Sequence, residues 1–95
     1  MLADLNQLRT FVLLYELRSV TATAERLHVT QPTVSYTLRR LRERFGDVLF
    51  RREGHDMVPT AKATQLFGPL HEALAQIDAT VADPSAFEPA GFSGE

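Results

Sequence analysis

Two amphipathic stretches lie between Ser19 and Phe45, separated by only His28, Val29 and Thr30, and this spacing restricts the fold more than any other feature. In the second, TQPTVSYTLRRLRERF, the apolar residues Val34, Leu38, Leu41 and Phe45 recur at helical spacing. Pro32, Tyr36, Arg39 and Arg40 project the other way. Thr30 stands at the N-cap, and Pro32 in the first turn gives up an amide that would have had no helical partner. Ser19 caps the preceding helix, which runs through about Leu27 with Val20, Ala24 and Leu27 inward. Two short helices joined by so tight a turn form a helix-turn-helix, whose second helix presents a positive N-terminal end and small polar groups to an anion. The turn calls for a residue able to take positive φ. His28 is one of the few non-glycine types enriched there, and an ordinary surface histidine is the alternative.

The net charge of −2 argues against a polyanionic partner only until its distribution is read. Up to residue 62 there are ten basic and seven acidic side chains, a net of +3; from 63 to 95 there are five acidic and no basic ones, a net of −5. The basic part is the part that holds the helix-turn-helix.

A first helix over about Leu5–Leu17, with Leu8, Phe11, Val12 and Tyr15 in one stripe, reads as scaffold. After Phe45, Gly46 offers a C-cap, and Leu49 and Phe50 return the chain to the core. The polar run Arg51–Asp56 around Gly54, flanked by VLF and MV, predicts a short β-hairpin, a wing with two arginines near its tip. Pro59 and Thr60 then stop the hairpin and cap a long helix. In that helix Ala63, Phe67, Leu70, Leu74, Ile77 and Val81 are spaced 4, 3, 4, 3, 4, a heptad seam. The seam is compatible with a core stripe against the same domain, but its narrowness and charge-poor ends favour a helix from a second copy. Gly68 and Pro69 predict a kink or irregularity. DPSAFEPAGFSGE has the composition of a linker or frayed end.

At 95 residues one small domain with an appendage is expected, without room for an ordinary catalytic cleft. There is no G-x-S-x-G, no HExxH and no Gly-rich phosphate loop, so an enzyme is not expected. With no cysteine and three scattered histidines, His28, His55 and His71, neither a disulfide framework nor a metal site is expected. No stretch reads as a signal sequence or a membrane span, which points to a cytoplasmic protein. A winged-helix module that binds only proteins would be expected to lose the basic helix and wing, and Arg39, Arg40 and Arg52 oppose that reading.

The runs DLNQLRTFV and SVTATAERLHVTQPTVSYTLRRLRERFGDVLF, the wing arginine and the PT-initiated helix resemble the N-terminal domain of LysR-type transcriptional regulators over roughly residues 4 to 81. The segment PTAKATQLFGPLHEAL is similar to the subgroup that contains nodulation and aromatic-catabolism regulators. The resemblance implies a mainly α fold, a winged helix-turn-helix followed by a long dimerisation (linker) helix. It divides the chain into a DNA-binding domain over 1–59, a linker helix over 60–82 and a flexible linker over 83–95 toward an effector-binding domain absent here.

It further implies double-stranded DNA as partner, an interrupted palindromic promoter site bound by a homodimer, tetramers in longer members, no membrane, and a bacterial, nucleoid-associated location. No cofactor is implied for this part; a small-molecule inducer belongs to the absent domain. In the recognition helix, residues 31–44, Gln31 is placed to read an adenine edge, and Pro32 and Thr33 to touch thymine methyls. Thr21, Ser35, Tyr36 and Arg39 suit the phosphate backbone, with a thymine methyl the alternative for Tyr36, and Arg52 an adjacent minor groove or its phosphates. For Gln31 the competing reading is a solvated first-turn residue, and for Thr33 and Ser35 ordinary surface hydroxyls. Members of the family commonly carry a basic residue at the position of Ala22 and an Arg at that of Tyr36, so a shifted sequence preference is implied. Ala63, Phe67, Leu70, Leu74, Ile77 and Val81 are assigned to the dimer interface.

Overall fold

The computed structural model describes residues 4–83. Four helices and one hairpin follow in order: α1 (Leu5–Leu17), α2 (Val20–Leu27), α3 (Gln31–Phe45), β1 (Phe50–Glu53), β2 (Asp56–Pro59) and α4 (Ala61–Ala82). The expected linker at 84–95 lies outside the described residues.

Each helix begins on a side-chain cap. Asp4, Ser19, Thr30 and Thr60 are all extended, and each accepts from the amide three residues on, satisfying a donor that has no helical partner. Three helices end on a left-handed residue: Arg18 (φ 56), His28 (φ 59) and Gly46 (φ 63). The positive φ expected at His28 is present, and Val29 N–H closes the turn onto the Ala24 carbonyl at 3.0 Å. α4 runs unbroken through Gly68 and Pro69, so the irregularity expected there does not end the helix.

The core is built from every element. Phe11, Leu14, Leu41, Leu49, Phe50 and Ala63 are fully buried, with Val12, Ala24, Val34, Leu38, Met57 and Leu74 nearly so. The Phe11 and Phe50 rings meet at 5.6 Å and 52°, which joins α1 to the first residue of the wing. A lone two-stranded hairpin is marginal in water, and Phe50 and Met57 are what anchor this one.

Part of the α4 seam meets the chain's own core. Ala63 and Leu74 are buried in the chain's own core, and Phe67, Leu70 and Ile77 pack against it. Phe67 stacks on Tyr15 of α1 at 4.1 Å and 17°, and Arg9 of α1 forms a two-pronged ion pair with Asp78 at 2.7 and 2.9 Å. Val81 is 67% exposed, and Phe67, Leu70 and Ile77 keep part of their surface in solvent. Spacing of this kind selects a helical partner without saying which one, and α1 takes up part of the stripe.

Candidate nucleic-acid interface

The turn at 28–30 fixes how α3 is presented. Left-handed His28 ends α2, Thr30 starts α3, and Thr30 Oγ1 accepts from Thr33 N–H at 3.3 Å. Thr30 Oγ1 and Thr33 Oγ1 also lie 2.9 Å apart, so the Thr33 hydroxyl is engaged locally. Behind this turn Val34, Leu38 and Leu41 are buried, which holds the opposite face in solvent. All eight residues singled out for DNA, Thr21, Gln31, Pro32, Thr33, Ser35, Tyr36, Arg39 and Arg52, are exposed. Five of them sit on the first two turns of α3 at the positive end of its dipole. Tyr36 is 53% exposed.

The basic side chains divide into two groups. Arg39 and Arg52 make no ion pair or hydrogen bond within the described residues, and Arg40 approaches Glu43 only at 3.9 Å. Arg42 is committed to structure: its guanidinium donates to the Val48 carbonyl at 2.7 Å and to the Phe50 carbonyl at 2.9 Å. Arg18 is similarly spent, donating to the Tyr15 carbonyl and lying over the Tyr15 ring at 4.8 Å. In the wing, Phe50 pairs with Pro59 and Glu53 with Asp56, which leaves Gly54 and His55 as a two-residue loop with Gly54 at φ 65. Arg51 and Arg52 therefore stand on the exposed part of β1.

Sequence reasoning missed the polar joint between α3 and the wing. Asp47 Oδ2 accepts from Leu49 N–H at 2.8 Å and from Thr60 Oγ1 at 2.7 Å, and these two bonds hold its carboxyl below the usual carboxylate range. An Asp just past a glycine cap was the available signal, because Asp commonly turns back on the amide two residues ahead. Leu49 itself sits at φ 68 with its side chain fully buried. That conformation costs a leucine about 1–2 kcal/mol and persists only where its surroundings impose it.

Among the described residues no group of three or more His or acidic side chains could hold a metal ion, and no helix is long and apolar enough to cross a membrane.

Residues 5–64 match the sequence profile of the bacterial regulatory helix-turn-helix proteins of the lysR family. The chain is 41% identical to nodulation protein D 1 of Bradyrhizobium sp. (strain NC92) over 90 residues, 95% of this chain and 29% of that protein. It thus spans less than a third of the length of such a relative. A probable transcriptional regulator, PA0477 of Pseudomonas aeruginosa, superposes with a TM-score of 0.80 at 35% identity over 83% of this chain and 26% of its own. The DNA-binding domain of BenM, solved in complex with benA site 1 DNA, superposes with a TM-score of 0.77 at 28% identity, covering 84% of this chain and 93% of that one.

Proposed function

Because this chain belongs to the LysR family of bacterial helix-turn-helix regulators, we propose that it is the part of a transcriptional regulator that reads an interrupted palindromic promoter site as a dimer. One observation carries the reading: a capped helix start, set by a left-handed turn, whose first two turns expose small polar and aromatic groups over a fully buried opposite face. A similar domain solved on DNA supports it.

In this reading α3 enters the major groove by its N-terminal end. Gln31 forms two hydrogen bonds with an adenine edge, and Pro32 and the methyl of Thr33 meet thymine methyls. Thr21, Ser35, Tyr36 and Arg39 take phosphates, which gives affinity and register without sequence information. Arg52 lies in the neighbouring minor groove, most favourably where an A/T-rich tract narrows it. The longer protein carries an effector-binding domain whose small-molecule inducer sets activation or repression, and it works in the bacterial cytoplasm as a dimer or tetramer.

Selection from randomised duplexes with the wild type and the Gln31→Ala variant tests the central assignment. Preference is expected to relax at one position per half-site; an unchanged profile with uniformly weaker binding would assign Gln31 to the backbone instead. For the wing, Arg52→Ala is expected to weaken binding and reduce the slope of log K against log salt by about 1. An unaltered slope removes Arg52 from the contact.

A further inference from the structure

We propose that Asp47 is a positioning residue that sets the wing, and with it Arg52, relative to the recognition helix; the inference rests on the reading of Arg52 as a DNA contact. A single carboxylate oxygen accepts from both feet of the hairpin: from Leu49 N–H, one residue before β1, and from Thr60 Oγ1, one residue after β2. Thr60 N–H donates in turn to the Leu49 carbonyl at 2.8 Å, which closes the two feet on each other. Because Asp47 immediately follows Gly46, the cap of α3, this clasp joins the base of the wing to the end of the reading helix. Arg42 grips the same loop from the other side through the Val48 and Phe50 carbonyls. Between the two grips Leu49 is held at φ 68, so the path into β1 is imposed by its polar neighbours and is not the relaxed course of the chain.

The positioning role predicts coupling to the wing and to no other contact. On a fluorescein-labelled A/T-rich duplex, Asp47→Ala is expected to weaken binding about as much as Arg52→Ala, within about tenfold of wild type. The double variant is expected to be no weaker than either single one, since a misplaced wing has little left to lose. Asp47→Asn, which keeps an acceptor oxygen, restores most of the affinity. Multiplying effects of Asp47→Ala and Arg52→Ala overturn the proposal, as does a loss in Asp47→Ala matched by loss of helical circular dichroism. If Arg52→Ala alone leaves binding unchanged, the wing contact itself falls, and hydrogen exchange decides the role of Asp47. Faster exchange of the Leu49 and Thr60 amides in the Ala but not the Asn variant supports the clasp; unchanged exchange overturns it.

Discussion

His28 shows how much one backbone conformation contributes to this fold. Its φ of 59 ends α2 and lets Thr30 begin α3 two residues later, so the approach of the reading helix depends on it. A β-branched side chain tolerates that region worst and glycine best. His28→Val is therefore expected to lower stability by about 1–2 kcal/mol, and His28→Gly to change it little. Urea denaturation of both variants checks this, and equal losses would show that the imidazole, not the backbone, is what the turn uses. The position was legible because the signal is local: a capped helix, three residues, another cap. Arg18 and Leu49 take the same conformation and gave no comparable sign. Arg18 is stabilised in part by its carbonyl accepting from Met57 N–H, 39 residues away, and Leu49 by Asp47 together with burial of its own side chain. The partner of Arg18 leaves no trace in neighbouring sequence, whereas Asp47, two residues before Leu49, was the one local signal for that residue.

At the scale of elements, the limits of α1, α2 and α3 followed from caps and apolar spacing, and so did the hairpin, because each is decided within a few residues. The partner of α4 was not. A heptad seam carries the same pattern whether α1 or a second copy fills it, and α1 covers part of it through Phe67 on Tyr15, with Asp78 beside the seam paired to Arg9. The ion pair joins residues 69 apart and was invisible to any periodicity. It also sets an acid response. The hydrogen bonds from Arg9 hold the Asp78 carboxyl below its ordinary value, so the native state binds fewer protons there than the unfolded chain. Its contribution is present above the unfolded carboxylate pKa of about 3.9 and is lost as pH falls through the lowered folded value. Asp47 is shifted the same way by Thr60 and Leu49. Thermal melts from neutral to acid pH are expected to show stability falling in that window, less steeply in Asp78→Asn, and less steeply again when Asp47→Asn is added. Parallel curves for all three proteins would mean that other carboxylates govern acid unfolding.

For the whole molecule the radius of gyration is 16.0 Å and the extents are 55 × 25 × 21 Å, whereas a compact chain of this length has a radius of about 12 Å. Much of the excess comes from α4, whose 22 residues span roughly 33 Å, its last turn running past the Arg9–Asp78 pair that ties it to α1. The burial of Leu74 decides how dimerisation has to be tested. Leu74 is 6% exposed inside the chain's own core, so Leu74→Asp would unfold the domain and say nothing about a second copy. Val81, 67% exposed near the end of α4, is the one seam residue whose substitution leaves the core untouched. In the dimeric reading Val81→Asp is expected to keep the helical circular dichroism and Tm while shifting sedimentation toward monomer. Binding to an isolated half-site stays unchanged, because α3 and the wing are untouched. Binding to a paired site falls by about a hundredfold, since the second half-site is no longer held at high effective concentration. A dimer that survives the substitution places the interface elsewhere on the exposed surface of α4, and equal losses on single and paired sites would show that the variant damages the reading head instead of the pairing.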